Sequence, residues 1–493
     1  MKKVISLILS MAMVLSLTVL SFADTTTGTY SITINNSTPG HIYEAYQIFT
    51  GDLSSKGVLS NIEWGSGITD AGKAALKEVV GITEGNPTAA DIAEKITESN
   101  VINVASKAGA NLTTTVAGSA NTITDGKYVI NGLAPGYYLV KDQDGSLTGD
   151  NDSYTSYILK VVKNITMDPK SDQPTVEKKV KDTNDSEANS TTGWQDSADY
   201  DIGDDVPFQL TATLPDNITS YDRYKVIFHD TLSAGLTYNK DAVIKIDGNK
   251  VTGFTPSYSG TTLTFSCDDV IALGAHNNSV ITIEYTAKLN EKAVLGSAGN
   301  PNKVNLEYSN NPNQSGEGDR DTGKTPDDTV IVFTYKTVVN KVDGTGNALT
   351  GAEFTLSKKM ADGTLKEITV VKNDAGTTFT FSGLDDGDYV LKETKTPEGY
   401  NSIADIEFTI TAAHDVLSDN PALTSLSGNV TTGEITFTSN TTEGSLTTTV
   451  ENKSGATLPE TGGIGTTIFY VVGAVLVIGA GVLFVTKRRM STR

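Results

Sequence analysis

Alternation with a period of two is the feature that most restricts what this chain can become. In Tyr30-Ser-Ile-Thr-Ile34 and Val280-Ile-Thr-Ile-Glu-Tyr285 apolar residues recur at every second position, with Thr, Ser or Glu between them. Successive side chains of a strand point to opposite faces, so such segments read as half-buried β-strands. A chain built from many of them needs sheets that stack apolar face on apolar face, and the expected fold class is all-β, in tandem sandwich domains. There is one cysteine, Cys267, so no intramolecular disulfide can brace them.

Both ends carry processing signals. Lys2 and Lys3 precede an apolar stretch, Val4 to Leu20, and Ser21-Phe22-Ala23 offers small residues for cleavage before Asp24, as in a secretory signal peptide. At the other end, Leu458, Pro459, Glu460, Thr461 and Gly462 are followed by an apolar run, Ile464 to Val485, and by Lys487, Arg488 and Arg489. A cleavable peptide, a membrane stop and positive charge that stays in the cytoplasm form a sorting address. This order resembles the cell-wall sorting signal of Gram-positive surface proteins, which implies cleavage between Thr461 and Gly462 by a sortase and covalent attachment to the cell wall.

The two signals leave about 435 residues, enough for three domains of ordinary size. Composition places the borders. Residues 1–23 are the signal peptide. The first domain, 24–172, contains two helix-like stretches, Asp70 to Val80 and Thr88 to Ser99, and ends in the linker Asp168-Pro-Lys-Ser-Asp-Gln-Pro174. The middle domain, 173–330, ends in the polar loop Asn310 to Asp328; the last domain occupies 331–455, and the sorting signal 456–493. An internal echo links the outer two. Tyr128-Val-Ile-Asn-Gly-Leu-Ala-Pro-Gly-Tyr-Tyr-Leu139 and Phe379-Thr-Phe-Ser-Gly-Leu-Asp-Asp-Gly-Asp-Tyr-Val390 share a Gly-Leu-x-x-Gly core, expected of a duplicated module.

In the last domain, Leu349-Thr-Gly-Ala-Glu-Phe-Thr-Leu356 and Tyr389-Val-Leu-Lys-Glu-Thr-Lys-Thr-Pro-Glu-Gly-Tyr400 resemble the collagen-adhesin B-type domain and the E-box of Gram-positive pilins. The resemblance implies immunoglobulin-like β-sandwiches. It also implies a spontaneous isopeptide bond between a Lys on the first strand and an Asn on the last, assisted by the E-box carboxylate; Lys341, Asn452 and Glu393 stand at those positions. Alternation tests this separately. Lys341 is in phase with Val339, Glu393 with Leu391 and Tyr389, and Asn452 with Val450 and Leu446, so all three polar groups point inward. Burial lowers a Lys pKa toward the nucleophilic amine and raises that of a carboxylic acid, which can then polarise the amide and carry protons as ammonia leaves.

The middle domain offers a second set. Lys178 is in phase with Val176 and Val180, whereas Lys179 faces the other way; Asp230 is in phase with Val226, Phe228 and Leu232. The segment Asp230-Thr-Leu-Ser-Ala-Gly-Leu236 resembles the part of middle pilin domains in which Asp serves as the acid. Asn302, in phase with Val304, Leu306 and Tyr308, is the acceptor preferred over Asn305 or Asn310. The opening strand of the first domain holds no Lys, and no such bond is expected there. That domain ends in Asn164-Ile-Thr-Met-Asp-Pro-Lys170, which resembles the pilin motif of backbone pilins with Asp168 in the usual aromatic position. The resemblance implies that Lys170 is the nucleophile of polymerisation.

The whole then resembles a major pilin subunit of sortase-assembled pili. The implied partners are a class C sortase that joins Thr461 to Lys170 of another copy, a housekeeping sortase, minor pilins and peptidoglycan. A monomeric wall-anchored adhesin or accessory pilin is the alternative, and no host ligand can be read from the residues. A formal net charge of -21 argues against nucleic acid as a partner. Four scattered His residues, with no Ser or Cys partner beside His229, argue against an enzyme. No cofactor and no metal site is expected, since the acidic clusters around Asp201 to Asp205 and Asp319 to Asp328 match no calcium-loop spacing.

Overall fold

The computed structural model describes residues 29–455, apart from 98, 148, 150–152, 169–172 and 315–320, and residues 464–490. Lys170, the signal peptide and Leu458 to Gly462 lie outside the described residues. Two compact units form. The first takes in the described residues up to Asn184, Ser190–Thr334 and Ala413–Thr424; the second takes in Asp185–Asn189, Tyr335–Ala412 and the chain from Ser425 onward.

The N-terminal part of the first unit is layered. A three-stranded sheet packs against one face of a five-stranded sheet, and helices cover the other face. The strand Gly136–Asp142 shows why alternation fails to mark it. Tyr138 and Val140 point into the core between the sheets, Tyr137 and Leu139 into the core beneath the helices, and all seven residues are buried. Three helices supply that cover: α1 (Asp70–Val79), α2 (Ala89–Glu94) and α3 (Val101–Gly109). Thr69 caps α1 through its hydroxyl, and Thr88 with Asp91 forms a capping box on α2. The expected helix at Thr88 to Ser99 is therefore corrected to a shorter one followed by a third. The break has a side-chain cause: Asn100 accepts from the Thr97 N–H at 2.7 Å and donates to the Lys95 carbonyl at 2.9 Å, drawing the chain into a turn.

The middle part of the first unit is a sandwich. One sheet carries the strands Val226–Leu232 and Asn300–Ser309 side by side; the other ends in Thr175–Val180, paired to Asp205–Thr213. Phe208, Leu210, Phe228, Ile283 and Leu306 fill the space between. In the second unit two five-stranded sheets face each other, with Val339, Phe354, Leu356, Phe379, Leu391 and Val450 buried.

The sequence echo acquires a structural meaning. In both copies the two strands flanking Gly-Leu-x-x-Gly belong to different sheets, so the motif is a corner and not a hairpin. Gly132 and Gly383 take the same left-handed φ, 78° and 80°, which disfavours any side chain at that corner. In both copies the opening strand is flanked by the corner strand, antiparallel, and by the closing strand, parallel.

The last element is a helix at Ile464–Met490. Its stretch Phe469–Arg488, with mean hydropathy 2.4 and none of it buried, is long and apolar enough to cross a membrane.

Candidate isopeptide sites

In the middle domain the strand Thr175–Val180 lies at a sheet edge and turns Lys178 inward opposite Leu210, while Lys179 faces out and pairs with Asp196 at 2.5 Å. Asp230 and Asn302 come from neighbouring strands of the facing sheet, where Asp230 is in register with Val304, and Asn302 with Leu232. All three are fully buried. Lys178 Nζ donates to Asp230 Oδ1 at 2.7 Å and to the Tyr285 hydroxyl at 3.0 Å. Tyr285 donates to Asp230 Oδ2 at 2.5 Å and accepts from Asn302 Nδ2 at 2.8 Å. One hydroxyl thus touches amine, acid and amide. Asn302 Oδ1 is buried with no hydrogen-bond partner.

Burial dominates the electrostatics here. It pushes the Lys178 amine below its ordinary value, against the pull of Asp230, and pushes the Asp230 carboxyl up, against the pull of Lys178. Both shifts favour the neutral pair, amine and acid, over the charged one. The rings of Phe208 and Tyr285, centred 5.3 and 5.4 Å from Nζ, close the site to water.

The second unit solves the same problem with another geometry. Lys341 and Asn452 sit on adjacent parallel strands, Tyr335–Asp343 and Ser445–Asn452, where Lys341 is level with Val450 and Asp343 with Asn452. Lys341 and Asn452 therefore share a face two residues apart. Glu393 reaches them from the facing sheet, on the strand Gly387–Lys395. Asn452 Nδ2 donates to Glu393 Oε2 at 3.0 Å and to the Asn401 carbonyl at 2.8 Å, and Thr396 donates to the same Glu393 oxygen at 3.0 Å. Glu393 Oε1 and Asn452 Oδ1 are buried without hydrogen-bond partners. Lys341, 1 % exposed, donates to the carbonyls of Val342 and Val450, and burial pushes its amine below the ordinary value against the pull of Glu393. Glu393 is only half-buried, unlike its two partners, because it lies near the end of its strand.

Two participants escaped the sequence reading. Tyr285 lies mid-way along the strand Val280–Leu289 in phase with Ile281 and Ile283, so its inward direction was legible but its chemistry was not. Lys358, in phase with Phe354 and Leu356, is fully buried against Asp385, whose backbone carbonyl accepts from the Tyr389 hydroxyl at 3.1 Å. The sequence signal was a Lys at an inward position.

With this geometry in view, the comparisons with known proteins acquire a physical content. Residues 202–312 match the Gram-positive pilin backbone subunit 2, Cna-B-like domain family; residues 336–422 match a prealbumin-like fold domain family; residues 450–491 match the LPXTG cell wall anchor motif. The chain has the make-up of a Gram-positive backbone pilin. Over 419 residues, 70 % of this chain and 74 % of the relative, it is 26 % identical to the trypsin-resistant surface T6 protein of Streptococcus pyogenes serotype M6. The solved structure of the T6 backbone pilin of that serotype, described as a modular three-domain structure decorated with variable loops and extensions, aligns with TM-score 0.54 and 20 % identity. It covers 89 % of this chain and 100 % of that one, a likeness of fold. The matches support a structural subunit of a pilus shaft, attached to the cell wall through its LPXTG anchor, with sortase processing and polymerisation among copies implied by the family.

Proposed function

We propose that the chain builds its shaft through an amide between Thr461 of one copy and Lys170 of the next, and that two internal amides, Lys178 to Asn302 and Lys341 to Asn452, brace each copy. A class C sortase would hold the Thr461 carbonyl as a thioester, Lys170 would attack it, and a housekeeping sortase would later pass the finished polymer, with its minor pilins, to peptidoglycan.

The observation that carries the internal bonds is the water-free meeting of amine, acid and amide in the middle domain. A proton passes from Lys178 to Asp230, and the neutral amine attacks Asn302 Cγ. Asp230 gives its proton to the tetrahedral oxygen, takes one from the attacking nitrogen and passes it to the departing nitrogen; the oxygen returns its proton to the carboxylate as the C–N bond breaks, so one ammonia leaves for each amide formed. Tyr285 holds Asn302 Nδ2 and Asp230 in one line of hydrogen bonds. Glu393 performs the acid's part in the last domain, with Thr396 fixing that carboxyl and the Asn401 carbonyl fixing the amide. Each bond closes a loop of more than a hundred residues, which by analogy with disulfides stabilises by about 5 kcal/mol through the unfolded state. Under tension the covalent tie also spares the hydrogen-bonded sheet.

The test is the intact mass of the recombinant ectodomain. Loss of two ammonia masses is expected, and an unmodified mass removes both bonds. For the intermolecular amide, Lys170→Ala should abolish the high-mass ladder extracted from cell walls; a persisting ladder refutes the assignment of Lys170.

A further inference from the structure

Within the first compact unit, three side chains far apart in sequence converge on one point: Asp182, just beyond the strand Thr175–Val180; Asp199, on the strand Ser197–Asp199; and His414, in the docked segment Ala413–Thr424. One oxygen of each carboxylate and one imidazole nitrogen lie within 4.8 Å of one another.

The hydrogen bonds around His414 decide which nitrogen faces the carboxylates and in what state. The Ser197 hydroxyl donates its only proton to the Asp415 carbonyl at 2.6 Å, so toward His414 Nδ1, 2.7 Å away, it can only accept. Nδ1 therefore carries a proton, and Nε2 points at Asp182 Oδ2, 3.6 Å away, and Asp199 Oδ1, 3.8 Å away. A direct bond from an imidazolium to a carboxylate is about 2.7–2.9 Å long, and neither contact approaches that. Both are close to the separation of about 3.3–3.6 Å between two donors that each sit 2.0–2.2 Å from a tetrahedral metal ion.

A second observation points the same way. Asp199 is 2 % exposed, and its Oδ2 is buried with no hydrogen-bond partner. Asp182 Oδ1 is already taken by the N–H groups of Thr183 and Asp199, leaving Oδ2 for the cluster. The Phe333 ring, centred 5.7 Å from that of His414, shields one side. Against burial, the two carboxylates hold the His414 imidazole up to about 9, so without a metal the cluster carries one net negative charge; a divalent cation that displaces the Nε2 proton would leave it neutral.

We infer that Asp182, Asp199 and His414 form a binding site for a divalent transition metal, Zn²⁺ foremost, that secures the 413–424 segment to the first unit. One imidazole and two carboxylates suit Zn²⁺ better than Ca²⁺, which takes six to eight oxygens. The partial exposure of Asp182 leaves room for a water as fourth ligand. Ser197 acts as a positioning residue, fixing the ring through Nδ1. The segment is otherwise held by the Asp196 N–H donating to the Val416 carbonyl at 3.0 Å and by the Ser418 N–H donating to Asp196 Oδ2 at 2.8 Å.

The experiment uses the ectodomain, residues 24–461, freed of metal by chelation. On titration with ZnCl₂, wild type should take up one ion per chain, and Co²⁺ should give the visible absorption of a tetrahedral site. His414→Gln and Asp199→Asn should each weaken Zn²⁺ binding by about 100-fold or more while retaining the wild-type circular dichroism. Absence of stoichiometric uptake by wild type overturns the assignment, as does uptake unchanged in both variants. The Co²⁺ spectrum of wild type decides the matter even where a variant fails to fold, since a chain without the band has no such site.

Discussion

Tyr285→Phe isolates the contribution of one oxygen atom to bond formation. The substitution keeps the ring that stacks on Phe208, centroids 5.5 Å apart, and so keeps the packing. It deletes a hydrogen bond of 2.5 Å to a buried carboxyl, one of 2.8 Å from the Asn302 amide and one of 3.0 Å from Lys178. A hydrogen bond involving a charged group contributes about 1.5–3 kcal/mol net. If that falls on the transition state, where the amide must stay aligned while its oxygen gains charge, the rate drops by about 10- to 100-fold at 1.36 kcal/mol per decade. The assay follows loss of ammonia by intact mass in chain freshly made by cell-free synthesis, since an amide once formed survives denaturant, with Asp230→Asn as the variant expected not to react at all. The two bonds are resolved by recording the same course in an Asn452→Ala background, where only the middle bond can form. Bond formation at the wild-type rate in Tyr285→Phe would refute the role given to this hydroxyl and reduce Tyr285 to a packing residue.

Other consequences are independent of that one. Lys341→Ala should remove one ammonia loss and leave the middle bond intact, read as the mass of the cross-linked Lys178–Asn302 peptide pair after digestion. Removing Lys358 or Asp385 alone strands a buried charge and should cost about 3–5 kcal/mol in chemical denaturation of the C-terminal domain, whereas replacing both by apolar residues of similar volume should recover most of it. Cys267, 5 % exposed with its thiol pushed up by burial, should resist alkylation near neutral pH until denaturant is added; rapid native labelling would contradict the packing described.

The candidate sites were legible to unequal degrees. Lys178, Asp230, Asn302, Lys341 and Asn452 could be placed inward by counting in twos from apolar neighbours, because a strand allows only two faces. Counting fixes direction and not depth: Glu393 shares its phase with Leu391 but sits near a strand end and is half-buried. Tyr285 was hidden by its own ambiguity, since an inward Tyr is ordinarily core. Lys358 shows the opposite failure, an inward Lys with an apolar-phase pattern as clear as that of Lys341 but without a motif around it. The third helix was missed because its start depends on Asn100 bonding to both Thr97 and Lys95, a local bargain that propensity does not record.

By itself, then, the amino-acid order determined the all-β class, the helical insertion, the sorting address and which polar residues turn inward, all of which depend on neighbours within a few positions. Tertiary structure alone decided who meets whom. Two carboxylates with one imidazole, or a tyrosine hydroxyl touching amine, acid and amide, come together only when distant strands pair and sheets face each other. The two proposed cross-links also differ in a way no local pattern encodes. Lys178 reaches across the sandwich to Asn302, while Lys341 lies beside Asn452 on a parallel neighbour. The physical reason is that side-chain direction is set by the backbone of one strand, whereas proximity is set by register and sheet order, which emerge from the packing of the whole core.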